Sequence, residues 1–154
     1  MARLRLVALV ALGLGALAAC LPEQPAPPPG DSDARATPDC VITRVVDGDT
    51  VHALCRGSGA ERLRLMGYDT PETYRARCSA ERRLGDRATR RLRAELARAG
   101  DIRMRFYGRD RYQRLLVRLT LDGRDIADTM IAAGLAVRYS GGRRIDWCER
   151  LASP

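Results

Sequence analysis

The sequence predicts a mainly β domain with helices, α+β in class, over residues 40–154. Three observations predict it. Two β-branched runs flank an Asp-Gly pair at 47–48, one amphipathic helical stretch follows the third strand-like run, and two more alternating runs follow that helix.

Val41–Val46 and Thr50–Leu54 lie on either side of Asp47-Gly48, a pair suited to a two-residue hairpin turn. After Gly57-Ser58-Gly59, residues Arg62–Tyr68 alternate as a third strand. Ser79 is the expected cap of a helix running to about Ala99, with Leu84, Ala88, Leu92 and Leu96 as its apolar stripe and Gly100 as its stop. Ile102–Tyr107 and Gln113–Leu121 read as two more strands, the second alternating Leu115, Val117, Leu119 and Leu121. Asp122-Gly123 turns the chain, Asp125 caps a short helix through Ala133, and Gly134 ends it. The tail around Ile145–Leu151 has room for a last helical turn or two. Three strands, a helix, two strands, a helix and a tail are compatible with a five-stranded OB-fold barrel, an order several other α+β folds share.

The residues before this domain have a different character. Met1–Arg5 is a short basic segment and Leu6–Ala19 is apolar, too short for a bilayer span of roughly 20 residues. Residues 1–19 are therefore expected to be an export signal rather than part of the fold. Leu17-Ala18-Ala19-Cys20 resembles a bacterial lipoprotein box, which would lipidate Cys20 and anchor the protein to a membrane; cleavage after Ala16-Leu17-Ala18 is the alternative. Residues 20–39 hold six of the eight prolines and are expected to form an extended tether.

Cysteine arithmetic favours the lipid anchor, since setting Cys20 aside leaves an even four. Cys40, Cys55, Cys78 and Cys148 lack the close pairs of zinc sites, so disulfides are expected in an oxidising compartment. Cys40 and Cys55 lie symmetrically about Asp47-Gly48 and would face each other across the hairpin. Of the three possible connectivities this favours 40–55 with 78–148.

All 27 basic residues are Arg. From residue 40 onward there are 24 Arg against 15 Asp and Glu, a balance suited to nucleic acid or to an anionic membrane surface. His52 is the only histidine, which leaves Ser-His-Asp and His-dependent mechanisms hard to build, and a polar strand position explains it.

The chemistry resides in three segments: Val46-Asp47-Gly48-Asp49-Thr50, Arg64 through Thr73 with Asp69-Thr70-Pro71-Glu72 inside it, and Asp110 through Leu116. Each alone has an ordinary explanation as a turn, a helix cap or one arginine among many. Together they supply carboxylates and guanidiniums at strand ends and in loops. Phosphodiester hydrolysis needs a hard cation, a group to activate or orient water, and fixed positive charge on the transition state. Asp49 and Asp69 suit calcium, Glu72 suits the water, and Arg64 and Arg114 suit phosphoryl oxygens.

These segments, D-G-D-T, R-L-x-x-x-D-T-P-E and D-x-Y-x-R-x-L in that order, closely resemble the staphylococcal nuclease (thermonuclease) family over roughly Val41 to Arg138. The resemblance implies an OB barrel with helices, Ca²⁺ as cofactor, and cleavage of DNA and RNA to 3′-phosphate products. It implies Asp49, Asp69 and the Thr70 carbonyl as calcium ligands, Glu72 as general base or water-orienting group, and Arg64 and Arg114 on the phosphate. Tyr112 would hydrogen-bond a substrate phosphate, and Tyr139 lies near a nucleobase-stacking position, with barrel-rim packing the equal alternative. A monomer is expected. The chain departs from the family in a short segment after Glu72 and in lacking a long C-terminal helix, for which the two disulfides are the expected substitute. The rival expectation is an OB module that binds nucleic acid without cutting it; another is an arginine surface that binds anionic lipid or polymer as structure only.

Overall fold

The computed structural model describes residues 39–152; the expected signal segment, Cys20 and all of the tether but its last residue lie outside them. Strands β1 (Cys40–Val45), β2 (Thr50–Cys55) and β3 (Gly59–Leu65) form an antiparallel meander. Strand β4 (Gly67–Asp69), helix α1 (Ser79–Arg98), and strands β5 (Ile102–Arg109) and β6 (Leu115–Leu121) follow. The chain then forms β7 (Arg124–Asp125), α2 (Ile126–Ala132), β8 (Val137–Tyr139) and α3 (Trp147–Ala152). Five long strands take the order β1-β2-β3-β6-β5, with β3 parallel to β6, which is the OB arrangement expected from the sequence. No β5–β1 ladder is recorded among the described residues.

The core follows the period-two pattern of the strands. Val51, Leu63, Leu65, Val117 and Leu119 are fully buried, while Arg118 between the last two faces outward. Helix α1 lays Ala88 and Leu92 on this surface, with Leu84 and Leu96 half-buried beside them. Each fully buried Leu or Val contributes about 1.5–3 kcal/mol relative to exposure. The second helix starts on the Asp125 carboxylate, which accepts the Ala127 amide at 2.9 Å. It ends in a Schellman pair, Gly134 N–H to Ile131 O and Leu135 N–H to Met130 O.

Several local expectations are corrected. The first hairpin does not close on two residues: Val46–Asp49 form a wider loop in which the Val46 and Asp47 amides both reach the Thr50 carbonyl. Close packing explains the difference, because a Cβ on Gly48 would lie 2.8 Å from Ala88 Cβ and from the Thr70 side chain. The loop thus passes directly under α1. The third strand breaks at Met66, whose amide turns to Val117 O, so Gly67–Asp69 leaves the main sheet and pairs with β8. Residues 113 and 114 lie outside β6, because Asp110 gathers the amides of Tyr112 and Arg114 into a loop. Helix α1 is capped by Cys78 rather than Ser79. Its far end turns extended at Ala99, and the Asp122 carboxylate takes the amides of Gly100 and Asp101.

Both disulfides have the expected pairing. Cys40–Cys55 closes the open end of the first hairpin, where the two residues are in register. Cys78–Cys148 ties the N-cap of α1 to α3. Among the described residues no helix is long and apolar enough to cross a membrane.

Candidate active site

Asp49 precedes β2, where the Gly48 loop delivers it inward, and is almost fully buried. Its carboxylate is held by neutral donors: the Thr50 hydroxyl, the Thr70 amide and the Thr70 hydroxyl, each at 3.1 Å. Asp69 ends β4 and has no exposed surface; the Trp147 indole N–H donates to its Oδ2 at 3.1 Å. Tyr68, also fully buried, donates its hydroxyl to Gly48 O at 2.9 Å, tying the first acidic loop to the second. Burial pushes that phenol well above its usual range.

Arg64, in β3 and in register with Thr50, brings its charge between the two aspartates. Its Nη1 lies 2.9 Å from Asp49 Oδ2 and its Nη2 3.4 Å from Asp69 Oδ1, while the carbonyls of Leu65 and Tyr68 accept further bonds. Glu72 follows in the loop toward α1. Its backbone is positioned by the helix: Glu81, buried in the first turn, accepts from the amides of Glu72 and Arg77. A Cβ on Gly85 would meet the carbonyl oxygens of Pro71 and Glu72 at 2.7 Å, so only glycine lets α1 approach this loop so closely.

Arg114 is aimed by Asp110, whose Oδ2 accepts its Nε at 2.7 Å. Burial alone would raise the Asp110 carboxyl, but the bonds from Arg114 hold it below its usual range. Tyr112 is 64% exposed and its ring stacks near the Arg111 and Arg114 guanidiniums. Arg64, Arg114, Tyr112 and Tyr139 line one cleft of about 830 Å³. Arg114 and Tyr112 line a second of about 660 Å³ with Glu72. The structure therefore joins Asp49, Arg64, Asp69 and Thr70 by ion pairs and hydrogen bonds, and Arg64, Glu72, Tyr112 and Arg114 through two clefts that share Tyr112 and Arg114. His52 sits in β2 opposite Arg44 and Arg62, a strand position as expected.

The electrostatics follow from burial. Asp69 is raised above its ordinary value by burial and by Asp49, against the opposing pull of Arg144, Trp147 and Arg64. Asp47 is pushed up to about 6, by burial first and then by the negative charge of Asp49. Four oxygen-bearing residues, Asp49, Asp69, Thr70 through its carbonyl, and Glu72, converge on one positive group, the guanidinium of Arg144. Its Nε is 2.5 Å from Asp69 Oδ1, its Nη1 2.5 Å from Glu72 Oε1, and its Nη2 3.1 Å from Thr70 O and 4.0 Å from Asp49 Oδ2. Burial acts to lower the pKa of that guanidinium, and Asp69, Asp49 and Glu72 more than reverse it. Hard oxygens that gather around a cation in this way fit a hard metal ion. Cys78, Glu81 and Cys148 also cluster, but the two sulfurs are joined and Glu81 is occupied by backbone amides, so that group offers no thiolate.

Three residues of the site were not found from the sequence. Arg144 was one arginine among 27, and Trp147 lay in a tail read only as helical. Glu81 stands three residues after Cys78, the cap the structure shows, a spacing hidden while Ser79 was the expected cap.

The profile of the family described as "Staphylococcal nuclease homologue" matches residues 62–147. Endonuclease YncB of Bacillus subtilis (strain 168) is 31% identical over 117 residues, which are 74% of this chain and 54% of that protein. The SPbeta prophage-derived endonuclease YokF of the same organism is 34% identical over 101 residues, 64% of this chain and 33% of its own length. An uncharacterized endonuclease of Haemophilus influenzae (strain ATCC 51907 / DSM 11121 / KW20 / Rd) is 28% identical over 106 residues, covering 69% of this chain and 55% of that protein. The chain thus spans about half or less of the length of these relatives. With the OB strand order beside it, the match over residues 62–147 places this chain in the staphylococcal nuclease homologue family.

Proposed function

We propose that the domain is a calcium-dependent nuclease that hydrolyses phosphodiester bonds of DNA or RNA, leaving 3′-phosphate ends. One observation carries this reading: Asp49, Asp69, the Thr70 carbonyl and Glu72 converge on one cation, and Asp49 and Asp69 also pair with Arg64, which lines a cleft with Arg114 and Tyr112. Asp49, Asp69 and Thr70 are the residues that would hold calcium, with Glu72 next to it. Bound there, calcium supplies a hard positive charge against a phosphoryl oxygen. Glu72 Oε holds or accepts the proton of the attacking water. Arg64 adds fixed positive charge to the cleft lining, and Arg114, oriented by Asp110, presents a planar guanidinium that stays protonated throughout. Tyr112 offers a hydroxyl and an exposed ring to the substrate strand.

A plasmid-cleavage gel with added calcium tests the reading. Wild-type protein cuts, Glu72→Ala is slower by about 100-fold or more, and EGTA abolishes cutting. Retention of DNA without cleavage would instead identify a binding module, and neither cleavage nor retention would remove nucleic acid as the partner. Export with a lipid anchor at Cys20 is part of the same proposal, motivated by the Leu17-Ala18-Ala19-Cys20 box and the even cysteine count that remains. Cys20→Ser should release the protein from salt-washed membranes; continued partitioning there would refute the anchor.

A further inference from the structure

The position of Arg144 has a consequence for metal binding. It lies in the loop between β8 and α3, and its one guanidinium contacts or approaches all four residues that would hold or adjoin calcium. Calcium takes oxygens at about 2.3–2.6 Å. The Asp69 oxygen and the Thr70 carbonyl that would hold calcium are already bonded to the guanidinium, and the Glu72 oxygen that would face the water is as well.

The loop that carries Arg144 is anchored. Trp147 donates to Asp69, Cys148 is bonded to Cys78, and the Tyr139 hydroxyl donates to Gly142 O at 2.8 Å. The Arg144 side chain is not enclosed: it is 41% exposed and lines both clefts. It has space to swing aside by a rotamer change while its backbone stays fixed.

We propose that Arg144 is a positioning residue that acts as a tethered counter-cation: it occupies the cation seat, keeps Asp49, Asp69, Thr70 and Glu72 converged, and is displaced when a divalent cation binds. The proposal rests on the calcium reading given above. It makes calcium compete with part of the protein, so apparent affinity is lowered by the fraction of molecules in which Arg144 holds the seat.

The experiment is a calcium titration of the full domain, read by the emission of Trp147, the only tryptophan of the chain, whose indole shares Asp69 with the seat. Wild type is compared with Arg144→Gln, with the charge-retaining Arg144→Lys, and with Arg143→Gln as a control that removes a neighbouring exposed charge. Arg144→Gln should bind calcium about tenfold more tightly, within the usual range of coupling between two binding events, and melt at a lower temperature in EGTA. Arg144→Lys should fall between the two, and Arg143→Gln should shift affinity by less than about threefold. Tighter binding by Arg144→Gln, even where wild type shows none, supports displacement. If wild type binds and Arg144→Gln binds equally or more weakly, the counter-cation role is overturned while the calcium reading stands. If neither binds calcium, both fall together. Should Arg144→Gln fail to fold, Arg144→Lys decides: affinity equal to or below wild type overturns the proposal.

Discussion

Gly85 offers a way to separate the stability of α1 from the placement of Glu72. It sits inside a 20-residue helix, where Ala is favoured over Gly by about 1 kcal/mol. On propensity alone Gly85→Ala should stabilise the domain. The added Cβ, however, would stand 2.7 Å from the carbonyl oxygens of both Pro71 and Glu72 and 3.0 Å from the Glu72 carbonyl carbon. Those are backbone atoms, so the contact is relieved only by moving the loop away from the helix by several tenths of an ångström. Overpacking of this kind costs about 1–3 kcal/mol, which offsets the propensity gain and leaves a net loss of up to about 2 kcal/mol. The larger effect falls on chemistry, because Glu72 moves with the displaced carbonyls. A misplacement approaching 1 Å costs about 100-fold in rate. Urea melts and initial rates of plasmid cleavage in calcium measure the two quantities on the same sample. A variant stabilised by the full 1 kcal/mol and cutting at the wild-type rate would refute the claim that this glycine sets the position of Glu72.

Loop length sets the order of the two disulfides. Removing Cys78–Cys148, which closes a separation of 70 residues, should cost about 4 kcal/mol, against about 3 kcal/mol for Cys40–Cys55 with its separation of 15. Urea midpoints of the paired Cys→Ser variants test this, and a larger loss at the short loop would contradict it. Asp47 should leave a pH signature in EGTA. Its pKa is raised to about 6, so between about pH 4 and 6 the folded state holds more protons than the unfolded, and stability falls as pH rises through that window. Asp47→Asn should flatten the slope and gain about 1–2 kcal/mol at pH 7 after screening of a partly exposed group. An unchanged slope in thermal melts across the window would show that Asp47 is not the group responsible.

The elements with strong periodicity or punctuation were legible. The first hairpin, the long helix, the alternating Leu115–Leu121 strand and the Asp125 cap all stand where their patterns put them, give or take the ends. The site's motif residues were legible as well, because D-T-P-E and its companions are local strings. What escaped depends on contacts far apart in sequence. Asp47-Gly48 reads as a tight turn unless the approach of Ala88 and Thr70 is known. Strands β7 and β8 have two and three residues, too few for any period, and exist because β6 and β4 offer them edges. Arg144 lies 72 residues from Glu72, and nothing near it in the chain distinguishes it from other arginines. The Cys78–Cys148 pairing was the one available pointer, since it carries the tail to the start of α1 beside the acidic loop.

The way the buried charges are held separates this cluster from an ordinary structural ion pair. Asp49, Arg64 and Asp69 are all buried, and charges removed from water are seldom repaid in stability; apolar replacements of equal volume are often neutral or better. A structural pair would satisfy its carboxylates with its own cation. Here the orientation of Asp49 comes from two threonine hydroxyls and an amide, and that of Asp69 from an indole, none of which cancels negative charge. Arg64 offsets one of the two buried negative charges and neutral donors fix where the oxygens point, so net negative charge is left for a further cation. The two guanidiniums differ in the same respect. Arg64 is enclosed and bonded to carbonyls on its own strand and the next, so it is part of the frame. Arg144 reaches in from a loop and keeps an open side toward both clefts. A frame that directs oxygens and keeps net negative charge, approached by a guanidinium from an open loop, suits the exchangeable cation site proposed above.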